Sequence, residues 1–469
     1  MEKNDIITLS ITAMSSEGVG IGRYEGIAVF VPMSAVGDKL KVKILKVKSN
    51  CCFGKIEEIL SPAVARIDAD CKVFSKCGGC VYRHIDYTEE LLLKQKRVED
   101  AVKRIGGIDV SPCPIVSDGN IQGYRNKAQY PVANEGAVGF FANHSHRIIP
   151  CENCGLQPRV FDDICDIFTE WFKESGNTAY DEESGKGLIR HLYIRKAWVT
   201  GQIMVCLVIN GEGVRDSQVF VDRLKSKLGD SLKTVVLNIN REKTNVILAD
   251  KCVNIYGDGY IYDVLCGVKI RISPLSFYQV NHNMAQRLYE KAKEYANVIG
   301  KTVLDLYCGA GTIGLSMADS AEKIIGVEII PQAVKDAKFN AANNQITNAE
   351  FICADASDAA KMLADKNIKP DVVIVDPPRK GCSSDLLQII AKDFAPKRLV
   401  YVSCDPATLA RDLKILSEKG YELIEYTPFD LFPRTAHVET VALLTKLRKE
   451  RKNEKISCDN GMQIIADNR

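Results

Sequence analysis

Several features are missing from this sequence, and each absence excludes a class of protein. No apolar run reaches the roughly eighteen residues that a membrane-spanning helix needs. The start, MEKNDIITLS, lacks the basic stretch followed by an apolar stretch that marks a secretory signal peptide. There is also no excess of charge of one sign, since the net charge is only +2, and no internal repeat is visible. We therefore expect a cytoplasmic protein that spans no membrane, with an overall charge that does not indicate its partners.

What is present is the composition of an ordinary globular protein with many thiols. Hydrophobic residues make up 46% and charged residues 26% of the 469 positions, which predicts about three domains of roughly 150 residues each. The chain contains 17 cysteines. In a cytoplasmic protein, such a number argues against a disulfide framework and favours metal or thiol chemistry.

The pattern of the chain changes three times and predicts an α/β protein with two additional domains. Residues 1–60 show short strands broken by glycine, as in a five-stranded OB-like barrel, and one strand alternates lysines with apolar residues. Residues 61–275 mix strands and helices in an α+β pattern, and a basic helix at about 89–108 could pack on the following domain. Residues 276–449 alternate strands with helices and predict a Rossmann-like, doubly wound parallel sheet. Residues 450–469 form a polar tail that we expect to be unstructured.

Acidic residues and a glycine loop occur where successive strands of the predicted parallel sheet end. The loop in LDLYCGAGTIGL contains Gly309, and by itself it would also fit a dinucleotide such as NAD. Each acid could simply cap a helix, but four in register favour a cofactor crevice that resembles that of S-adenosylmethionine-dependent methyltransferases. Glu328 would hold ribose hydroxyls and Asp355 an adenine amino group. The four acids are Asp305, Glu328, Asp355 and Asp376.

A thiol ends the fifth predicted strand, beside the same crevice. Cys404 lies in RLVYVSCDPATLARDL; the alternative is a buried structural cysteine, the commoner fate of this residue type. A free thiol is about 3% ionised at neutral pH and is nevertheless a strong nucleophile. Its addition to carbon 6 of a pyrimidine would activate carbon 5 for methylation, and a base must then remove the carbon-5 proton. Either His437 or Glu439, in FPRTAHVETVALL, could be that base.

Five ordered motifs together resemble the bacterial RNA 5-methyluridine methyltransferases, specifically the iron–sulfur-containing branch that acts on 23S ribosomal RNA. The motifs are SFYQVN, LDLYCGAGTIGL, DPPRKGC, VSCDPATLARDL and FDLFPRTAHVETVALL. The resemblance implies that Cys404 is the nucleophile, that Glu439 is the base and that His437 is a neighbour. It also implies that S-adenosylmethionine is bound by Gln279, Tyr307, Glu328 and Asp376, and Asp376 could touch the target uracil as well.

Cysteines also gather in a C-x5-C-G-G-C pattern, and three thiolates require a fourth ligand. Cys151 and Cys154 offer one, and zinc and iron–sulfur clusters both accept four cysteines. The resemblance favours a 4Fe–4S cluster with Cys154 as the fourth ligand, because it lies in a C-x-L-Q context; Cys151 remains the alternative. The first three ligands are Cys71, Cys77 and Cys80.

The resemblance extends to RNA binding, since the N-terminal barrel is similar to a TRAM domain. Its alternating lysines would then contact phosphates, as Arg125 and Lys127 in GYRNKAQY could. A target base must be flipped out of its stack to reach the thiol. The three lysines are Lys39, Lys41 and Lys43.

The expected activity is uridine-5 methylation of 23S ribosomal RNA by a monomer, and several alternatives stay open. Transfer RNA is the rival substrate. Cytosine-5 methylation is disfavoured because Pro378 stands where such enzymes carry their nucleophile, and amino-group methylation because Arg379 replaces an aromatic residue. A non-enzymatic alternative is an iron–sulfur RNA-binding sensor, which would need neither Cys404 nor Glu439.

Overall fold

The computed structural model describes residues 1–143 and 145–447, so the predicted polar tail at 450–469 lies outside the described residues. The N-terminal segment folds into a closed five-stranded barrel with the order β1-β2-β3-β5-β4, as predicted. Alternate residues of β4 point inward, and Leu40, Val42 and Ile44 are fully buried. The lysines between them therefore lie on the outer face. The strands are β1 (Ile6–Met14), β2 (Gly20–Tyr24), β3 (Ile27–Val31), β4 (Lys39–Val47) and β5 (Cys51–Ser61).

A long helix, α1 (Tyr87–Arg104), follows the cysteine-rich segment. It begins at Asp86, whose carboxylate accepts a hydrogen bond from the Thr88 amide at 2.9 Å. Val98 and Val102 are buried in the same apolar cluster as the strands of the C-terminal domain. This helix is therefore part of the C-terminal core, although more than 150 residues of chain separate it from that domain in sequence.

The central part of the chain contains a five-stranded sheet with the order β12-β11-β10-β9-β6. One face packs on two helices, around Phe168 and Trp171. The other face, which carries Tyr193 and Met204, packs toward the C-terminal domain. The elements are β6 (Lys127–Pro131), β7 (Gly139–Phe141), β8 (Ile148–Pro150), α2 (Val160–Ser175), β9 (Ile189–Lys196), β10 (Ile203–Ile209), α3 (Ser217–Leu228), β11 (Leu232–Ile239) and β12 (Cys252–Tyr256).

The C-terminal domain is a seven-stranded, doubly wound sheet with the order β17-β16-β15-β18-β19-β21-β20. Its first five strands are parallel, and β21 runs antiparallel to its neighbours. The order reverses between β15 and β18, and ligands bind at such switch points beyond the carboxyl ends of the strands. The elements are β13 (Ile261–Leu265), β14 (Val268–Ile272), α4 (His282–Ala296), β15 (Thr302–Leu306), α5 (Thr312–Leu315), β16 (Lys323–Glu328), α6 (Pro331–Asn343), β17 (Ala349–Cys353), α7 (Ala356–Asp365), β18 (Val372–Val375), α8 (Ser384–Ile389), β19 (Arg398–Ser403), α9 (Pro406–Glu418), β20 (Tyr421–Phe429) and β21 (Glu439–Lys446).

Within the described residues, no helix combines the length and the apolar character needed to cross a membrane. The predicted fold class, a Rossmann-like domain joined to an OB-like barrel and a central α+β region, is confirmed.

Candidate active site

The conformation of the glycine loop after β15 depends on an unusual backbone and on one buried acid. Tyr307, Gly309 and Gly311 all have positive φ, at 66°, 55° and 80°. Asp305, inside the strand, accepts a hydrogen bond from the Gly314 amide at 2.9 Å, and burial raises its pKa to about 7. Its second oxygen is buried and has no partner among the described residues. The first predicted acid therefore shapes the loop from behind.

Two further acids lie at the ends of β16 and β17, the next two strands on one side of this loop, and the structure separates their roles. Glu328 accepts hydrogen bonds from the Gly309 amide at 3.1 Å and from the Ile330 amide at 2.8 Å, so it bridges the glycine loop to the next turn. Asp355 caps α7 by accepting from the Ser357 amide at 2.8 Å. Helix capping is sufficient to explain Asp355, whereas Glu328 fastens the loop that a cofactor would approach.

The predicted nucleophile and base lie next to each other at the ends of two adjacent strands, β19 and β21. Ser403, the last residue of β19, is opposite Thr440, the second residue of β21. Cys404 and Glu439, one position further at the same edge, therefore lie side by side. Asp376 follows β18, which pairs with β19, and so lies at the same edge. The structure thus brings together three residues that are far apart in sequence.

Burial raises the pKa of all three groups, and neighbouring carboxylates add to the shift at Cys404 and Glu439. Burial, followed by the charges of Glu439 and Asp376, raises the pKa of the half-buried Cys404 thiol to about 11. Burial and the charge of Asp376 raise the pKa of Glu439, which is 5% exposed, to about 8, and burial raises that of Asp376 to about 7. Arg379 opposes the shift at both Cys404 and Glu439. Without a ligand, most of the Cys404 and Glu439 side chains are therefore protonated at neutral pH.

His437, the alternative base, lies in a cationic setting. Part of its ring is exposed to solvent. Desolvation of the rest, followed by the charges of Arg379 and Arg97, nevertheless lowers its pKa. Its ring meets that of Phe432 edge-on, with centroids 5.9 Å apart. A neutral imidazole with a depressed pKa is a weak base, which leaves Glu439 as the stronger candidate.

One buried acid that sequence reasoning did not identify anchors the segment after β18. Asp412, on α9, is fully buried and accepts hydrogen bonds from the Tyr401 hydroxyl at 2.6 Å and the Cys382 amide at 2.8 Å. It also accepts from Arg411 Nε at 2.8 Å. These contacts fix the turn that carries Asp376 and Arg379. The available signal was a carboxylate beside the apolar stripe of an amphipathic helix.

Gln279 is buried where the central domain meets α4. Its backbone carbonyl accepts a hydrogen bond from Asn126 Nδ2 at 2.8 Å, and the Asn126 amide donates to Val280 at 2.8 Å. The two aromatic residues just before Gln279 differ in exposure. Phe277 is 68% exposed, whereas Tyr278 is buried and its hydroxyl donates to Asp263 at 3.1 Å. Only Phe277 of this pair is free to stack on a base.

The predicted cysteine ligands line one cavity of about 60 Å³. The Gly79 amide donates to Cys77 Sγ at 3.4 Å, and Arg83 Nε donates to Cys80 Sγ at 3.4 Å. Arg83 is 97% buried, and such N–H donors and a buried cation suit a thiolate-bound anionic group. The five cysteines are Cys71, Cys77, Cys80, Cys151 and Cys154.

The sulfur atoms are gathered but are not closed around a single point. No group of three or more Cys, His, Asp or Glu side chains in residues 1–143 and 145–447 is arranged to hold a metal ion. The 4Fe–4S cluster therefore stays a prediction.

Comparisons with known proteins agree with this site. The tRNA (Uracil-5-)-methyltransferase family matches residues 267–447, and the TRAM domain family matches residues 2–56. Uncharacterized RNA methyltransferases of Clostridium tetani and Clostridium acetobutylicum are 41% and 42% identical over 449 and 456 residues. These alignments cover 95% and 96% of this chain and 97% and 99% of the relatives.

A solved structure extends the likeness to the whole fold. The tRNA (uracil-54, C5)-methyltransferase of Pyrococcus abyssi, in complex with S-adenosyl-L-homocysteine, is similar with a TM-score of 0.77 and 27% identity. The match covers 93% of this chain and 99% of that protein. S-adenosylmethionine is thus the cofactor and RNA the substrate. With a thiol and a carboxylate side by side at the cofactor edge, the chain belongs to the family of RNA (uracil-5-)-methyltransferases.

Proposed function

We propose that this protein methylates carbon 5 of a specific uridine in 23S ribosomal RNA by covalent catalysis. The observation that supports the mechanism is the register of β19 and β21, which sets Cys404 next to Glu439 at the cofactor edge of the sheet. Carbon 5 of uracil is too weakly nucleophilic to take a methyl group without prior activation. A thiol and a carboxylate are the two groups that such activation requires.

Each step is assigned to a side chain of this protein. Cys404 loses its proton to solvent, and its sulfur forms a bond to carbon 6, which makes carbon 5 electron-rich. S-adenosylmethionine supplies the methyl group to carbon 5. The Glu439 carboxylate then takes the carbon-5 proton, the electron pair re-forms the double bond between carbons 5 and 6, and the sulfur–carbon bond breaks to return the Cys404 thiolate.

The cofactor contacts of the proposal follow the strand ends. Glu328 and the glycine loop at Gly309 would hold the ribose side, and Asp355 would meet the adenine with the oxygen not used in capping. Tyr307, which has positive φ, packs partly buried against the apolar cluster that includes Cys382 and would contact the cofactor from the start of the loop. Gln279 and Asp376 would lie on the methionine and uracil side. Asp376 is placed to touch both the cofactor and the target ring, because it lies one strand from Cys404.

We infer that RNA enters over the exposed Phe277 and that the barrel holds its backbone. Lys39 and Lys41 are exposed on the outer face of β4, and Lys43 is partly exposed. Phosphate contacts there would position the RNA without reading its sequence. This proposal divides the chain into a barrel at 1–60, a central RNA-binding domain at 61–275 and a methyltransferase domain at 276–449. Helix α1 and the β13–β14 hairpin belong to the central segment in sequence but pack into the core of the methyltransferase domain.

We also infer a 4Fe–4S cluster on Cys71, Cys77, Cys80 and Cys154. The thiols line one cavity beside a buried arginine, and N–H groups point at two of the sulfurs. When bound, the cluster would cross-link two segments about seventy residues apart, which is a structural role. Methyl transfer from a sulfonium moves no net electrons, so no redox step is required.

Transfer RNA is the second candidate substrate, since the similar Pyrococcus abyssi enzyme is named for uridine 54 of transfer RNA. Mapping 5-methyluridine in RNA from cells with and without the gene distinguishes the two. Loss of a 5-methyluridine from 23S ribosomal RNA supports the proposal. Loss from transfer RNA alone assigns the other substrate, and loss of 5-methylcytidine would contradict uridine methylation.

A further inference from the structure

The loop that leads into Glu439 is held by side chains from outside its own strands. This β20–β21 loop comprises residues 430–438. Four of its backbone carbonyls accept hydrogen bonds from α1, from α4's N-terminal cap and from the central domain. The pairs are Asn281 Nδ2 to Leu431 at 3.1 Å, Lys94 Nζ to Phe432 at 3.1 Å, Tyr124 Oη to Pro433 at 2.9 Å and Arg97 Nη1 to Ala436 at 2.7 Å.

Lys94 is at the centre of these contacts. Its ammonium group donates to Glu90 Oε1 at 2.7 Å, to Asp430 Oδ1 at 2.7 Å and to the Phe432 carbonyl at 3.1 Å. All three of its N–H bonds are thereby used, and the side chain is 99% buried. Asp430 receives a second hydrogen bond from the Tyr87 hydroxyl at 2.8 Å. One lysine of α1 therefore holds both the first residue of the loop and the carbonyl two residues later.

Arg434 fastens the same loop in a conformation that needs support. Its φ is +70°, in the left-handed region that residues with a Cβ rarely adopt. Its amide donates to Glu90 Oε1 at 2.7 Å, and its guanidinium donates to the Ile85 carbonyl at 2.9 Å. Its carbonyl accepts from the amides of Val81 and Tyr82, directly after Cys80. Helix α1 and the segment before it therefore surround the middle of the loop.

The network is balanced in charge but costly to bury. Two carboxylates, Glu90 and Asp430, meet two cations, Lys94 and Arg434, and all four side chains are at least 93% buried. Apolar residues of similar volume would commonly stabilise a fold as well as buried ions do. What buried ions supply is geometry, because each hydrogen bond has a fixed length and direction. Here that geometry is imposed on the segment immediately before Glu439.

We propose that Lys94 is a positioning residue for methyl transfer: by fixing Asp430 and Phe432, it sets the direction from which the Glu439 carboxylate reaches the carbon-5 proton. This inference rests on the proposed function of Glu439. Proton removal is the last chemical step and releases Cys404 from the ring. A misplaced base should therefore slow release of the RNA while thiol addition and methylation continue.

The experiment compares Lys94→Met with wild type, with Lys96→Met as the matched control. Lys96 is exposed on the same helix. We expect Lys94→Met to incorporate methyl in its first turnover at close to the wild-type rate. Turnover should fall at least about tenfold and a denaturation-resistant protein–RNA adduct should accumulate, with the KM for S-adenosylmethionine unchanged within about twofold. Wild-type turnover without adduct, or equal loss of first and later turnovers without adduct, would overturn the proposal.

A second variant separates positioning from charge balance. Lys94→Met combined with Asp430→Asn removes one charge of each sign, so the remaining Glu90–Arg434 pair stays neutral overall. We expect its melting temperature to recover relative to Lys94→Met while the adduct still accumulates. Recovery of turnover together with stability would show that Lys94 only balances charge, and the proposal would be wrong.

A control with RNA that contains 5-fluorouridine tests the proposed function separately. A base can remove hydrogen from carbon 5 as a proton, but it cannot remove fluorine as a cation. Wild-type protein should therefore form a stable adduct with this RNA through Cys404. Absence of that adduct in wild type would contradict the covalent mechanism itself. Its presence in wild type, together with free turnover of Lys94→Met on ordinary RNA, would contradict only the positioning role.

Discussion

In the proposed mechanism Cys404 and Glu439 must both be ionised to act, yet the structure raises the pKa of each. Their proximity would bring both within reach of one pyrimidine ring. After burial, the charge of Glu439 disfavours the Cys404 thiolate, and the charge of Asp376 disfavours the ionised form of both groups. The charge of Arg379 opposes this effect, because it lowers the pKa of both groups.

Replacement of the nucleophile and of the base should stop the reaction at different points. Cys404→Ala should lose at least about a thousandfold in methylation because no adduct can form, while S-adenosylmethionine binding by calorimetry stays at the wild-type value. Glu439→Gln should instead trap the RNA in an adduct that survives denaturing electrophoresis. Normal turnover by Cys404→Ala would refute its role, and a missing adduct in Glu439→Gln would assign the base elsewhere.

The rate should rise with pH across the neutral range. The Cys404 pKa of about 11 lies above its ordinary value, so its thiolate fraction increases about tenfold per pH unit between about pH 6 and about pH 8. The rate of adduct formation on 5-fluorouridine RNA should follow that slope. Arg379→Gln should move the profile to higher pH because it removes the charge that lowers both pKa values, whereas Arg379→Lys should not. A flat profile would contradict thiolate attack.

At the scale of elements, turns after strands are fixed by acids on neighbouring helices and by helices from other parts of the chain. Asp412 on α9 holds the turn after β18, and α1 holds the β20–β21 loop. These anchors lie behind the reacting groups and touch neither cofactor nor substrate in the proposal. Their effect should appear as changed stability and positioning.

Asp412→Asn should destabilise the protein because an amide nitrogen would face N–H and O–H donors. We expect a loss of about 2 kcal/mol in the free energy of unfolding by urea, typical of a buried group left without its partners. The KM for S-adenosylmethionine should rise as the turn at Asp376 loosens. Asp393→Asn, at an exposed position of the short π-helix Ile390–Phe394, is the matched control and should change neither. An unchanged Asp412→Asn variant would show that the turn is held by other contacts.

The two cysteines of CENC should differ in their effect on iron. Purified Cys154→Ser should lose most of its iron and acid-labile sulfide and the visible absorption of the cluster, whereas Cys151→Ser should keep them. Chemical iron and sulfide analysis measures the difference. The reverse result would assign Cys151 as the fourth ligand. A wild-type protein without iron and sulfide after anaerobic purification would contradict the cluster.

At the scale of the whole molecule, the barrel and the reacting crevice are separate parts of the structure, and the proposal has both bind the same RNA. Replacing Lys39, Lys41 and Lys43 together by Gln should weaken RNA binding at low salt. The slope of log affinity against log salt concentration should become less steep by up to about three. The maximal rate at saturating RNA should not change. The matched control replaces Lys338, Lys361 and Lys366, which are exposed on α6, on α7 and just after α7.

Filter binding over a range of salt concentrations measures this effect. A loss of maximal rate with unchanged affinity would instead give the barrel a role near the chemistry. Equal weakening in the control triple would show that general charge, and not the β4 face, attracts the RNA.

The sequence alone determined the strands and the glycine loop, and it supplied the proposed reacting residues. Alternation in β4 and strands followed by helices after residue 276 are local patterns, and each side chain's preference acts over a few residues. The ordered motifs likewise carried the family resemblance, which the comparisons confirmed. Predicted positions for Glu328 and Asp376 at strand ends needed no knowledge of distant contacts.

Only the tertiary structure showed which of these residues touch, and why. Lys94 and Asp430 are 336 positions apart in sequence, and no local pattern indicates that they form a buried pair. The same holds for the anchoring by Asp412 and for the burial that raises the Cys404 and Glu439 pKa values. Long-range adjacency depends on how whole sheets and helices pack, because a contact between distant residues forms only after every element between them has been placed.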